Sequence, residues 1–234
     1  MQWSSDHFYQ RQLTAHPSVR SHLLSDLASV VRLQGRQCSK VKDRVQGELS
    51  GADPVQAEGD DVMSTPLLMI DTAGCGFNET SLGTSKGNNL EAAIVVDHVD
   101  QLVGLGVAPA DIAVISFYDF QVTILRRLLL AKYPYLEVKS VDGFQGCEKE
   151  AVVISMVRSN AGGEVGFLRD PRRINVAVTR ARRQLTVVCD SRTVSRDPCI
   201  RSLLGHIRVK GRVVDYSKNL DRVDRVDADG LFSL

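Results

Sequence analysis

The run PRRINVAVTRARR, residues 171–183, carries five arginines, and Arg173 and Arg180 stand seven positions apart. Seven residues is about two helical turns, so on a helix those two guanidinium groups project together while Arg182 leaves on another side. A guanidinium fork chelates phosphate oxygens, and a pair held on a packed helix suits a polyanion such as a triphosphate. Arginines on the outer side of a helix also serve simply to solvate it, and spacing alone leaves both uses open. A second group of chemically capable residues lies in VDGFQGCEKE, residues 141–150. Its turn formers, Gly143 and Gly146, bracket Gln145 and stand just before Glu148. There Glu148 can hydrogen-bond a sugar hydroxyl or orient an arginine, and it serves equally well as a polar residue near a strand start. Phe144 is expected in the core.

What is missing narrows the chemistry. No GxxxxGK[ST] and no GxGxxG occurs, and the chain has no Gly-Lys pair. GTSKG at 83–87 has the residue types of a phosphate loop in the wrong order. The chain is therefore expected to carry neither a P-loop nor a dinucleotide fingerprint of its own. The five histidines, His7, His16, His22, His98 and His206, have no metal-ligand spacing, so no metal site is expected. The five cysteines form no CxxC and are odd in number, which favours a reducing, intracellular compartment over a disulfide framework. The start MQWSSDHFYQ has no apolar core of a signal peptide, and runs such as AAIVV are too short to cross a bilayer. No membrane partner is expected.

The 234 residues, 43% hydrophobic and 24% charged, suit a globular α/β chain, and the net charge of +1 names no partner. Locally the balance differs: Arg169 to Arg183 holds six arginines against one acid, Asp170. Residues 1–33 read as a broken amphipathic helix, with Leu23, Leu24, Leu27, Val30 and Val31 at helical spacing. Residues 34–65 are polar and interrupted by glycine and proline, the pattern of a flexible insertion or linker. From residue 66 to 217 apolar strands alternate with helices. PLLMIDT, IAVIS (112–116), LEVKS (136–140), AVVISMV (151–157), LTVVCD (185–190) and VVDY (213–216) read as strands. Asn88 or Asn89 is expected to cap a helix ending near Gly104 and Gly106, and Asp119 to cap the next. A third helix is expected from Pro171 to about Arg183, with Ile174, Ala177, Val178 and Ala181 as its apolar stripe. Residues 218–234 read as a mobile, mildly acidic tail. Such alternation predicts a mainly parallel sheet covered on both faces, with ligands outside the carboxyl ends of strands. Ser140–Lys149 and Ser155–Asn160 are expected at such ends.

VKSVDGFQGCEKEAVVISMVRSN and GFLRDPRRINVAVTRARRQLTVVCDSRTV closely resemble motifs V and VI of the Upf-like branch of superfamily 1 helicases. The likeness extends through DTAGCG, SKGNNLEA and DIAVISFYDFQVTILRRLL. It covers most of the chain except 34–65 and the tail. The resemblance implies a RecA-like fold and 5′-to-3′ unwinding of RNA or DNA with ATP and Mg2+, in the nucleus or cytoplasm. In that family two RecA-like domains close on the nucleotide, and the first supplies the P-loop. This chain looks like the second. On that footing Arg180 looks like the arginine finger, with Gln145, Gly146 and Glu148 contributing to the nucleotide site. Gln121 and Tyr118 match motif IV, and Glu91 matches the acid at a helix start. Tyr118, Ser140, Val141, Asp142, Ser159 and Asn160 match positions that face single-stranded RNA or DNA. Two departures stand out: Cys147 where arginine is usual, and Phe117 where proline is usual. The expected partners are a single strand and a P-loop-bearing first domain, without which the chain is expected to be inactive on ATP. The alternative is a non-enzymatic module that binds nucleic acid or a helicase partner.

Overall fold

A computed structural model of the chain describes residues 2–33 and 62–218. The expectations for 34–61 and for 219–234 fall outside the described residues. Six strands form one fully parallel sheet: β1 (Leu67–Asp71), β4 (Ile112–Ser116), β5 (Glu137–Ser140), β6 (Lys149–Ser155), β7 (Ala181–Cys189) and β8 (Arg212–Asp215). Their spatial order is β5-β4-β6-β7-β1-β8. A small antiparallel hairpin, β2 (Thr80–Leu82) with β3 (Ser85–Gly87), stands apart from it.

Burial on both faces is what makes the strands read as unbroken apolar runs. In β6, Val152 and Ile154 enter one core while Ala151 and Val153 enter the other, the two-residue alternation of a strand. One face is covered by α2 (Asn89–Gly104) and α3 (Asp119–Leu129), through side chains such as Val99, Leu102 and Leu125. The Asn88 carboxamide accepts from the Glu91 backbone N–H and caps α2 as expected. That helix stops where Gly106 adopts φ +100°, a conformation natural to glycine. Asp119, by contrast, does not cap α3. Tyr118 occupies the capping position without a side-chain bond, and Asp119 is the first helical residue.

The opposite face is covered mostly by shorter elements. Trp3 of α1 (Gln2–Phe8), Phe144, Ile174 and Ala177 of α4 (Pro171–Val178), and Leu203, Leu204 and Ile207 of α6 (Pro198–Lys210) fill it. The short helix α5 (Ser191–Val194) follows β7. Within the lead-in, Leu24 and Val30 are buried but Val31 is exposed. Val62 and Met63, at the end of the span read as a linker, are buried in the α2–α3 core.

Two expectations are corrected here. The helix from Pro171 ends at Val178, not near Arg183, and Ala181 already belongs to β7. The chain must turn there because β7 pairs in parallel with β6 from Ala181 onward. The turn 141–148 also does not lie wholly at strand carboxyl ends. It leaves β5 there, but β5 and β6 flank β4 and run parallel to it, so the connection must return to the amino end of β6. Residues 141–148 span at most about 28 Å when extended. They cross the sheet face without a full helix, pinned by buried Val141 and Phe144.

Candidate nucleotide corner and carboxyl-edge network

The crossing turn delivers Gln145, Gly146 and Glu148, all exposed, to the amino edge of β6. The end of α4 delivers Arg180 to the amino edge of β7. Lys149 donates its backbone N–H to the Arg180 carbonyl (3.1 Å), which fixes the two edges side by side. The half-buried Arg180 side chain folds toward this corner. Its Nε–H donates to the Val176 carbonyl (2.9 Å), Nη1 to the Cys147 carbonyl (3.2 Å), and Nη2 to the Thr179 hydroxyl (3.0 Å). All three acceptors are neutral, and no carboxylate pairs with Arg180 among the described residues.

The neighbouring cations differ. Arg182 pairs with Glu148 and with Glu150 (3.1 Å), and those carboxylates raise its pKa. Arg183 pairs with Glu150 (2.7 Å) and donates to the Leu23 carbonyl. Arg173 pairs with Asp142 (2.9 Å), tying α4 to the crossing turn. Arg173 and Arg180 therefore do not project as a pair from one helix, since Arg180 lies beyond its end. Cys147 serves Arg180 through its carbonyl, which any residue type supplies, so the departure at 147 leaves this contact intact. Phe117, the other departure, is buried in the core.

At the carboxyl edge the structure gathers a different set. Arg158 and Glu79, with side chains 4% and 9% exposed, form an ion pair at 2.8 Å. The Glu79 carboxylate also accepts from the Ser159 backbone N–H and from the Asn160 amide. Tyr118 donates its hydroxyl to the Val165 carbonyl and accepts from Arg158 and from the Phe167 backbone. Gly166 sits so close that a Cβ there would collide with Arg158 Nη1. Ser159 is buried and donates to Asp190, while Asn160 closes its own loop through Glu164. Of the residues read as facing nucleic acid, Tyr118, Val141 and Ser159 are thus buried, Asn160 is bonded on all sides, and Ser140 and Asp142 retain exposure.

Behind that edge, Glu91 is fully buried. It accepts from the Ser155 hydroxyl (2.5 Å) and the Val157 backbone N–H (2.8 Å) through Oε1, while Oε2 has no partner among the described residues. Burial pushes its carboxyl up to about 7, opposed by those two hydrogen bonds. Gln121 bridges Asn88 to Ser155, and the Asn88 amide donates to the Val157 carbonyl. These bonds hold Val157 at φ +70°, a costly conformation for a β-branched residue. Glu79, Arg158 and Thr179 escaped the sequence reading. Glu79 and Arg158 lie 79 positions apart, and no local pattern links them. The segment 83–87 also spells GxSxG, but Ser85 lies in a hairpin and its hydroxyl accepts from the Phe120 backbone, unlike a nucleophile on a strand-to-helix turn.

A six-stranded parallel sheet of this order, covered on both faces, defines a RecA-like α/β domain. The AAA domain family matches residues 1–192. The chain belongs to the Upf1-like helicase family. It is 47% identical over 223 residues to DNA-binding protein SMUBP-2 of Mesocricetus auratus, covering 94% of this chain and 20% of that one. It is 38% identical over 203 residues to DNA polymerase alpha-associated DNA helicase A of Saccharomyces cerevisiae, covering 84% and 26%. Regulator of nonsense transcripts 1 of Dictyostelium discoideum is 40% identical over 145 residues, covering 59% and 11%. The chain thus spans about a quarter or less of the relatives it matches. Among solved structures, the C-terminal domain of a possible DNA helicase from Lactobacillus plantarum aligns with a TM-score of 0.36. The alignment has 13% identity and covers 61% of this chain and 88% of that one.

Proposed function

We propose that residues 66–217 are the second RecA-like domain of an ATP-dependent 5′-to-3′ RNA/DNA helicase, with Arg180 reaching toward the nucleotide held by a P-loop-bearing first domain. One observation carries the reading: Arg180 is fixed by three neutral acceptors at a solvent-facing corner, and its charge is offset by no carboxylate among the described residues. A guanidinium has five N–H donors, three of which are used among the described residues, leaving two for an incoming anion. That fits the phosphate chain of a nucleotide. ATP with Mg2+ would supply the phosphoryl group on which negative charge builds.

The chain's own part is electrostatic. Arg180 offers a cation that is already oriented, so little reorganisation is needed when charge develops opposite it. Glu148 and Arg182 form the exposed rim of the corner, and Gln145 and Gly146 shape its turn. Ser140 and Asp142, where the crossing turn leaves β5, are the parts of the single-strand surface with exposure. Contacts there would be mainly to sugar-phosphate, so binding should weaken with salt and show little sequence preference.

The test mixes this chain with a separately expressed P-loop domain of a relative and measures ATP turnover with and without single-stranded RNA or DNA. The expected result is strand-stimulated turnover that falls about 10³–10⁵-fold in Arg180→Ala. Arg180→Lys should stay low, because a point charge lacks the fork. Turnover by Arg180→Ala equal to wild type would remove the proposed role. Strand-stimulated turnover by the chain alone would remove the need for a first domain.

A further inference from the structure

We infer that Thr179 is a positioning residue for Arg180, its hydroxyl holding the guanidinium in the orientation the corner requires. The inference rests on the reading of Arg180 above. Of the three acceptors that hold the guanidinium, two are main-chain carbonyls, Val176 and Cys147. These survive any side-chain exchange at their own positions. The third is the Thr179 hydroxyl, the one side-chain atom of the clamp.

The hydroxyl is set for this role. It donates its hydrogen to the Asn175 carbonyl (2.8 Å), with the Val176 carbonyl at 3.1 Å, in the last turn of α4. With its hydrogen spent on the helix, its oxygen presents a lone pair to Arg180 Nη2. The Thr179 backbone N–H also bonds the Asn175 carbonyl, so the Cα that carries the hydroxyl is itself anchored. The Val176 carbonyl receives Arg180 Nε–H and lies within reach of the Thr179 hydroxyl. Loss of the hydroxyl would release one edge of the guanidinium and let it swing about the two remaining contacts. A displacement of about 1 Å at a positioned group can reduce rate by about 10²-fold.

Nitrogen-15 NMR of the arginine side chains reads the clamp on the chain alone. In wild type the Arg180 Nη2–H facing Thr179 should exchange slowly with solvent, Thr179→Ser should preserve this, and Thr179→Val should abolish it while the Nε–H bound to the Val176 carbonyl stays protected. In the two-domain ATPase assay Thr179→Val should lower kcat about ten- to a hundredfold with little change in KM, while Thr179→Ser stays within about threefold. In an Arg180→Ala background, Thr179→Val should cost nothing further, a coupling that general loss of fold would not produce. Unchanged Nη2–H exchange in Thr179→Val, or wild-type kcat in that variant while Arg180→Ala is impaired, would overturn the inference. If Arg180→Ala itself were harmless, the proposed function would fall, and the exchange measurement would still decide whether Thr179 holds the side chain.

Discussion

The two edges of the sheet use their polar residues in opposite ways. At the carboxyl edge Glu79, Arg158, Tyr118, Ser159, Asn160 and Asp190 bond one another and the backbone in a buried network. At the amino edge of β6 and β7 a half-buried guanidinium rests on neutral acceptors, with two donors unspent among the described residues. A network that satisfies itself gives rigidity, and an oriented cation without a counter-ion gives capacity to bind. Polar residues at strand ends are therefore poor evidence for a ligand surface until their partners are known.

The largest expected effect outside the ATPase assays falls on the buried edge. Glu79→Ala should lower the free energy of unfolding by about 3–5 kcal/mol, because it leaves Arg158 charged and enclosed. Glu164, 3.8 Å from Arg158 but largely exposed, is a weak substitute. Urea unfolding measures this, and a loss under about 1 kcal/mol would erase the contrast between the edges.

Next is a pH effect. The folded carboxyl of Glu91 sits at about 7 against 4.5 in the unfolded chain. Its contribution to stability is whole below about pH 4.5 and is lost as pH rises through about 7, on the order of 3 kcal/mol. His98 works in the other sense. Burial lowers it from 6.5 to about 4, so its contribution is present above pH 6.5 and lost as pH falls toward 4. The two oppose each other between about pH 4.5 and 6.5. In Glu91→Gln, urea midpoints should rise with pH across that window, with the decline above it removed. A profile identical to wild type would show that Glu91 titrates normally.

The smallest effect belongs to the exposed rim. Arg182→Ala should change stability by less than about 1 kcal/mol, since Arg182 and Glu148 are half exposed and Glu150, though mostly buried, keeps Arg183 as its partner. A larger loss would mean that the amino corner is as tightly built as the other edge.

Much of the framework was legible in the chain itself. IAVIS is β4 over the expected residues, Asn88 caps α2, and Phe144 is core as its type suggests. Arg180 does point to the Gln145–Glu148 corner, although along another route than a shared helix face. The helix end at Val178 was hidden because Ala181 continues the apolar period that Ile174 and Ala177 begin. The burial of Tyr118 was hidden because Val165 and Arg158, which bond its hydroxyl, lie 40 or more positions away.

The sequence by itself determined the alternation of strands and helices, because apolar period and capping residues act over a few neighbouring positions. It also carried the family likeness, through contiguous motifs. Only the tertiary structure decided which polar groups are spent and which are available. Hydrogen bonds and ion pairs join residues brought together by the strand order, and the passage of 141–148 across β4, with the pairing of β6 and β7, sets Arg180 against the Cys147 carbonyl.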